Sequence, residues 1–124
     1  MTAQREKILF VDDDTELRTI VKDQLSIAGY EVEEAEDGLE ALEKIKHTRY
    51  DLVLLDITIP GKSGLDVLKS AKQLRPECRV IILTGVVGLA VAIESLKLGA
   101  MDYVTKPYNM EYLLTSIKRA LAPL

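Results

Sequence analysis

The sequence lacks the features that define several common protein classes. Its only cysteine, Cys78, excludes an internal disulfide and a zinc site built from several cysteines, and it favours a reduced, cytoplasmic setting. No apolar run is long enough to cross a bilayer, and no signal-peptide core follows the polar N-terminus. The net charge of -4 argues against direct binding of nucleic acid. What remains is one globular domain with no membrane partner, which 124 residues fit well.

The sequence does contain a regular alternation of short apolar runs and amphipathic stretches. Residues 52–55 form a continuous apolar run, whose length is typical of a strand buried on both faces, and residues 79–83, apolar after Arg79, predict another buried strand. Residues 7–11 form a similar run, and 101–105 are predicted to form the last strand. The more acidic residues 30–35 predict an edge strand, where charge opposes unwanted pairing.

A helix pattern follows each predicted strand. The residues placed to cap these helices are Asp14 or Thr15, Gly29, Ser63, Gly99 and Asn109. The stripes predicted to be buried include Leu17, Ile20, Val21 and Leu25 in the first helix, Leu39, Leu42 and Ile45 in the second, and Leu65, Leu68, Ala71 and Leu74 in the third. Five repeats of strand then helix predict a doubly wound α/β fold, in which helices cover both faces of a parallel sheet.

Chemically useful side chains stand where four of the predicted strands end. Asp12 and Asp13 follow the first strand, and Asp56 follows the third. Thr84 lies at the end of the fourth strand, and Lys106 follows the fifth. Parallel strands all point the same way, so their carboxyl ends meet at one edge, where open α/β sheets bind their ligands. We therefore expect these five side chains to converge.

The chemistry of the expected cluster follows from its carboxylates. Three of them in one crevice repel one another, so their pKa values would rise unless a cation lay among them. A small set of oxygen ligands suits Mg²⁺, which often binds phosphate as well. A hydroxyl, an ammonium group and a divalent ion can surround the oxygens of a phosphoryl group. The carboxylate can accept that group, because aspartyl phosphates are known covalent intermediates.

Taken in order, the motifs of the chain closely resemble those of the receiver domain of bacterial two-component response regulators, the CheY-like receivers. The resemblance covers nearly the whole chain and rests on Val11-Asp12-Asp13, Leu54-Leu55-Asp56 followed by Pro60-Gly61, Leu83-Thr84-Gly85, and Tyr103-x-x-Lys106-Pro107. It implies a flavodoxin-like fold with strand order 2-1-3-4-5. It also implies one receiver domain over residues 1–124, with no effector domain in this chain.

The resemblance further implies a role for each acidic residue. Asp56 would match the phosphoacceptor of the family. Asp12 and Asp13 would match the acidic pair that holds Mg²⁺. Asp56 itself and the backbone carbonyl of Thr58 would complete the protein ligands of the metal. The phosphoryl group would come from a sensor histidine kinase or a phosphotransfer protein. The chain would catalyse only its own phosphorylation and slow dephosphorylation, and would not be an enzyme in any other sense.

The remaining motif residues resemble the family's phosphoryl contacts and its switch. Thr84 and Lys106 would match the two residues that contact the phosphoryl group, and the Lys106–Pro107 bond would be cis. Thr84 and Tyr103 would match the switch pair, because a hydroxyl drawn toward the phosphoryl group opens space for the aromatic ring. The output surface would then be the face formed by the fourth helix, the fifth strand and the fifth helix.

The segment 86–93 is unusually apolar for the start of the fourth helix. Such a segment predicts an exposed apolar patch that binds a second copy of the chain or an effector. Deeper packing of the same helix is an alternative that the sequence leaves open.

Three other interpretations compete with a phosphoacceptor. A phosphatase of the haloacid dehalogenase type also uses a strand-end aspartate and Mg²⁺, but it needs an acid two residues later, where Thr58 follows Asp56. Asp14 meets that spacing after Asp12, yet no cap domain or later acidic motif is visible. A flavin module needs a phosphate-binding loop after the first strand, where three carboxylates stand instead. A receiver that only binds partners would not need Asp56, Thr84 and Lys106 together.

Overall fold

A computed structural model describes residues 5–58, 63–85 and 88–122 of the chain. Strands and helices alternate throughout: β1 Lys7–Val11, α1 Thr15–Ile27, β2 Glu31–Ala35, α2 Gly38–His47, β3 Leu52–Leu55, α3 Gly64–Leu74, β4 Val80–Thr84, α4 Leu89–Lys97, β5 Asp102–Thr105 and α5 Met110–Leu121. No described helix is long and apolar enough to span a membrane.

The five strands form one parallel sheet in the order β2-β1-β3-β4-β5, which confirms the predicted fold and strand order. β1 pairs with β3 in a register that sets Val11 beside Leu55. The residues that follow these two, Asp12 and Asp56, therefore leave the sheet side by side at its carboxyl edge. At the far side of the sheet, Thr84 of β4 pairs with Thr105 of β5, so Lys106 leaves the sheet beside the end of β4.

The apolar core lies in two layers, one on each face of the sheet, because successive strand residues point to opposite faces. Ile8 and Phe10 of β1 lie in the layer covered by α1 and α5. Leu9 and Val11 lie in the layer covered by α2 and α3. Helix α4 is held differently, since its only buried residue is Ser95.

Capping follows the sequence closely. Asp14 caps α1 and Asn109 caps α5, each by accepting a hydrogen bond from a main-chain N–H of the first turn. Gly29 and Gly99 follow α1 and α4 with φ of 105°, a conformation that glycine adopts without strain. Ser63 precedes α3, but its side chain makes no capping hydrogen bond.

Three residues predicted to be buried are exposed instead: Ile20, Leu39 and Leu74. The buried line of each helix is rotated toward residues that the apolar pattern ignored. These are Arg18 in α1, Gly38 and Ala41 in α2, and Gly64 in α3. The prediction was wrong at these positions because small and charged residues face the sheet where larger apolar ones were expected.

Candidate functional site

The predicted acidic residues meet at the carboxyl edge of the sheet. One carboxylate oxygen from each of Asp12, Asp13 and Asp56 lies within 4.8 Å of the others. Asp12 and Asp56 are buried, while Asp13 is exposed. The main-chain N–H of Asp56 donates to the carbonyl of Val11 at 3.0 Å, so the parallel pairing of β1 and β3 fixes the distance between the two buried acids.

Lys106 brings the opposite charge to the two buried acids. Its Nζ lies 2.5 Å from Asp12 Oδ2 and 3.0 Å from Asp56 Oδ2. The N–H of Lys106 donates to the carbonyl of Thr84 at 2.8 Å, which continues the pairing of β4 with β5 past the strand end. The Lys106–Pro107 bond is cis, the isomer that the family resemblance implies. One ammonium group thus joins carboxylates that follow two different strands.

Asp56 is held from several directions. Its Oδ1 accepts hydrogen bonds from the main-chain N–H of Thr58 at 2.9 Å and from the Thr58 hydroxyl at 3.0 Å. The hydroxyl of Thr84, which is fully buried, also hydrogen-bonds to the Asp56 carboxylate. The sequence placed Thr58 near the site through its carbonyl, but its hydroxyl contact with Asp56 was missed. The carbonyl of Thr58 remains a predicted metal ligand.

The pKa values of the two buried acids, Asp12 and Asp56, shift in opposite directions. Burial raises the pKa of Asp12, and this outweighs the lowering by Lys106 and by the N–H of Asp14. Burial also acts to raise the pKa of Asp56, but hydrogen bonds from Thr58, Thr84 and Lys106 together hold it below its usual value. Of the two buried carboxylates, Asp56 is therefore the one that stays ionised more readily.

The pKa of Lys106 depends on both buried acids, Asp12 and Asp56. Burial acts to lower its pKa, but the hydrogen bonds to Asp12 and Asp56 and their negative charges raise it above its usual value. The ammonium group is therefore charged at neutral pH and leaves the site with a fixed cation.

The segment after Asp56 approaches the start of α3 closely. The N–H of Gly64 donates to the carbonyl of Ile57 at 3.2 Å. A Cβ at position 64 would lie 2.3 Å from Ile57 Cα, so only glycine fits without moving the backbone beside the site. Pro60 and Gly61, which belong to the predicted motif, lie outside the described residues.

Tyr103 lies beside the start of α4, two residues before the end of β5. It is half-buried on β5 and lines a shallow groove with Leu89 and Ala92 of α4. Burial and, to a smaller degree, the charge of Asp56 raise the pKa of its hydroxyl. Tyr103 therefore borders α4, the helix that we expect to change on phosphorylation.

Arg18 is a functional candidate that sequence reasoning missed. It lies near the start of α1, and its guanidinium donates to the main-chain carbonyl of Asp12 at 2.5 Å. The residue is buried and occupies the same helix line as Val21 and Leu25. The available signal was a basic residue on the buried stripe of a helix that begins beside an acidic strand end.

The cluster fits a divalent cation by the chemistry of its donors. Asp12, Asp13 and Asp56 offer carboxylate oxygens, which are the hard ligands that Mg²⁺ and Ca²⁺ prefer. Three such groups around one ammonium carry a net negative charge, which a divalent ion would neutralise. The chain therefore has the residues for a divalent cation site at this edge of the sheet.

Comparison with known proteins agrees with this geometry. The model of the response regulator receiver domain family matches residues 8–118. The chain is 38% identical over 116 residues to sporulation initiation phosphotransferase F of Bacillus subtilis, covering 94% of each chain. It is 35% identical over 115 residues to chemotaxis protein CheY of Thermotoga maritima, covering 92% of this chain and 96% of that protein. The comparisons give no support to a phosphatase of the haloacid dehalogenase type.

Other relatives are much longer than this chain. The match to transcriptional regulatory protein ZraR of Klebsiella oxytoca is 39% identical and covers 98% of this chain but only 28% of that protein. Receiver sequences of this kind thus occur both nearly alone and as a small part of larger regulators.

Solved structures give the same result. The CheY-like receiver domain protein of Methanospirillum hungatei superimposes with a TM-score of 0.92 at 40% identity, covering 95% of this chain and 94% of that one. A response regulator of Burkholderia pseudomallei, solved with a phosphorylated aspartic acid and a calcium ion, superimposes with a TM-score of 0.84 at 29% identity, covering 90% of this chain and 65% of that one. This chain belongs to the response regulator receiver domains, the regulatory phosphoacceptor domains of two-component signalling.

Proposed function

We propose that Asp56 is the phosphoacceptor of this receiver and that Mg²⁺ is its metal. The observation that carries this proposal is the bridge formed by Lys106, whose Nζ contacts both Asp12 and Asp56 at the carboxyl edge of the sheet. Asp12, Asp13 and Asp56 would hold the ion, with the carbonyl of Thr58 as a further ligand. A bound Mg²⁺ would neutralise charge on the phosphoryl oxygens during transfer.

The transfer itself needs little beyond what these residues supply. A carboxylate oxygen of Asp56 attacks phosphorus, and the bond from phosphorus to a donor imidazole nitrogen breaks. The electron pair stays on the imidazole of the donor, which then takes a proton from water. Lys106 and the hydroxyl of Thr84 both contact Asp56 already, so they are placed to bind the phosphoryl oxygens once the new bond forms.

The donor has to reach Asp56 from outside. Receiver domains are phosphorylated by histidine kinases or phosphotransfer proteins, and we infer that such a protein lies over the groove beside Lys106. Leu17, Ile20 and Met110 line that groove together with Pro107. Ile20 is 54% exposed, and an exposed apolar side chain beside the site suits contact with another protein.

The output surface proposed for this chain is α4, β5 and α5. Four large apolar residues of α4 and of the segment between α4 and β5 are exposed, and we call them the α4 patch: Leu89, Ile93, Leu96 and Met101. Their exposure agrees with the interpretation of an apolar contact surface and not with deeper packing of α4. Val86 and Val87, part of the same prediction, lie outside the described residues. The α4 patch suits a second copy of this chain or an effector.

We also infer that residues 1–124 act as one receiver with no catalysis beyond its own phosphorylation and dephosphorylation. Thr58, two residues after Asp56, has no carboxylate or carboxamide to orient a water molecule, which supports slow loss of the phosphoryl group. Cys78 is a buried free thiol, which suits a cytoplasmic setting.

Intact-mass measurement after treatment with acetyl phosphate tests the proposal. The wild-type chain should gain one phosphoryl group in the presence of Mg²⁺ and none after chelation. Asp56→Asn should gain none, while Asp66→Asn, which changes an exposed aspartate of α3, should behave as wild type. Full labelling of Asp56→Asn would rule out Asp56 as the acceptor.

A further inference from the structure

Arg18 is a buried cation behind the acidic site that the proposed transfer does not use. Only 8% of its surface is exposed. Its Nη1 donates to the main-chain carbonyl of Asp12 at 2.5 Å, and its Nε donates to Glu34 Oε1 of β2 at 3.3 Å. Arginine is seldom buried unless its guanidinium is paired, because removing the charge from water is unfavourable. The hydrogen bonds to the Asp12 carbonyl and to Glu34 are therefore what allow the guanidinium of Arg18 to be buried here.

The bond from Arg18 reaches the peptide that joins the two acids of the cation site. The carbonyl of Asp12 and the N–H of Asp13 belong to one rigid plane. By holding that carbonyl, the guanidinium sets the direction in which the chain leaves Asp12 and therefore where Asp13 begins. The Asp13 side chain is exposed, so the main chain is what determines its position relative to Asp12.

Asp12 is fixed on its other sides by different partners. Its N–H donates to the carbonyl of Ala35 at 3.1 Å. Its Oδ1 accepts from the N–H of Asp14 at 2.9 Å, and its Oδ2 accepts from Lys106 at 2.5 Å. Arg18 is the partner that holds the carbonyl, and it touches neither carboxylate of the Asp12–Asp13 pair in these contacts. Its action on the site is therefore one of position more than of charge.

We propose that Arg18 is a positioning residue, which aligns Asp12 and Asp13 on one cation by clamping the peptide between them. The inference rests on the proposed function, since it takes the acidic pair as the metal site. Glu34 anchors the clamp to β2, and Lys22 pairs with the same glutamate, with its Nζ 3.6 Å from Glu34 Oε2. Lys22 lies one turn along α1 from Arg18 but pairs with Glu34 alone, so it provides a matched control.

The test measures Mg²⁺ affinity by titration calorimetry in wild type, Arg18→Met, Arg18→Lys and Lys22→Met. Loss of a residue that orients a metal ligand typically weakens binding by about 10-fold or more, which we expect for both Arg18 variants. Lys22→Met should change affinity by less than about 2-fold, because it removes only a partly exposed ion pair that does not touch Asp12 or Asp13. Arg18→Lys keeps the charge but loses the planar fork, so it also separates position from charge.

NMR spectra of the metal-free protein test whether Arg18 positions the peptide between Asp12 and Asp13. In metal-free protein, the ¹³C signal of the Asp12 carbonyl and the ¹⁵N signal of Asp13 should move in the Arg18 variants and stay in place in Lys22→Met. In phosphorylation by acetyl phosphate, the Arg18 variants should need about 10-fold more Mg²⁺ for half-maximal rate and approach the wild-type rate at saturation.

The outcomes separate this inference from the proposed function. A folded Arg18→Lys with wild-type Mg²⁺ affinity and unmoved Asp12 and Asp13 signals would show that Arg18 serves the fold alone. If Arg18→Met does not fold, Arg18→Lys decides. If the wild-type chain binds no Mg²⁺, both proposals fail together, whereas normal wild-type phosphorylation with an unchanged Arg18→Lys overturns only the clamp.

Discussion

At the β2 edge of the sheet, charged side chains connect α1, β2 and α2, whereas at the β5 edge α4 presents apolar side chains to solvent. Arg18 and Lys22 of α1 both pair with Glu34, and Lys44 of α2 donates to the carbonyl of the same residue at 2.6 Å. Tyr50, just before β3, donates to Glu33 at 2.7 Å. Within the described residues, α4 takes part in no ion pair, and its buried side chain is Ser95 alone.

This difference predicts different roles for the two edges: the β2 edge supports the cation site, and the β5 edge changes conformation. The acidic pair Asp12 and Asp13 follows β1, next to the β2 edge with its ion pairs and hydrogen bonds, so we expect the cation site to have a rigid support. Tyr103 and α4 lie at the other edge, where few contacts have to break before the helix moves. A change in charge at Asp56 would therefore be expected to act on α4 and leave β2 unchanged.

The largest expected effect is a difference in the free energy of unfolding that is lost when each edge is mutated. Arg18→Met leaves the Asp12 carbonyl without its buried donor, so the free energy of unfolding should fall by about 2 kcal/mol. Leu96→Gln, in the exposed α4 patch, should change it by less than about 0.5 kcal/mol. Urea unfolding of both variants measures this difference. Equal losses would mean that α4 is held as firmly as α1.

The next effect concerns association through the α4 patch. With beryllofluoride and Mg²⁺, the wild-type chain should self-associate more strongly than without them, because we expect activation to repack α4. Leu89→Glu with Ile93→Glu should weaken that association by about 10-fold or more, since charge replaces apolar contact area. Analytical ultracentrifugation measures both. Ile27→Glu, at an exposed apolar residue of α1, is the control and should have no effect.

A smaller effect tests whether the cation site belongs with the rigid edge. At a concentration about 10-fold above its dissociation constant, Mg²⁺ should raise the free energy of unfolding by about 1.4 kcal/mol. Asp13→Asn should remove most of that gain. Because Asp13 is exposed, the same change should alter the metal-free stability by less than about 0.5 kcal/mol. Thermal melts with and without Mg²⁺ decide, and an undiminished gain in Asp13→Asn would exclude Asp13 as a ligand.

The smallest effect compares the two buried acids as pH falls. The pKa of Asp56 is lowered in the folded chain, so its ionised form adds stability above the usual value of 3.8, and this is lost as pH falls through the folded pKa. The deficit of Asp56→Asn relative to wild type should therefore shrink below pH 3.8. The pKa of Asp12 is raised, so its effect has the opposite sign.

For Asp12 the folded chain binds the proton more tightly than the unfolded chain does. Its ionisation therefore lowers stability as pH rises from 3.8 through the folded pKa. Any advantage of Asp12→Asn at neutral pH should vanish below 3.8. Metal-free urea unfolding between acidic and neutral pH measures both variants, and pH trends of the same sign would contradict the assignment.

Much of this molecule was predictable from its sequence. Apolar runs that stop at Asp12, Asp56 and Thr84 predicted the strands, the parallel sheet and the convergence of their ends. These signals are local, because a buried strand and the residue after it are read directly from the chain. The apolar segment at the start of α4 likewise predicted exposed residues, which Leu89 and Ile93 confirm.

What escaped prediction depends on contacts between distant parts of the chain. Arg18 was missed because an apolar pattern assigns the buried line of α1 to Ile20, whereas the partner that draws Arg18 inward is the carbonyl of Asp12. The hydroxyl of Thr58 was missed because its bond to Asp56 depends on the turn after β3. Neither contact leaves a periodic signal in the sequence.

Hydrogen exchange with and without beryllofluoride and Mg²⁺ tests most directly whether chemistry at Asp56 reaches only one edge of the sheet. Once intact mass or fluorine spectra show that the adduct has formed, the amides of α4 and β5 should change their exchange rates, while those of β2 and α2 should not. Asp56→Asn should show neither change. An adduct on Asp56 that leaves α4 and β5 unaltered, or that alters β2 equally, would contradict the division of the molecule into a rigid edge and a responsive one.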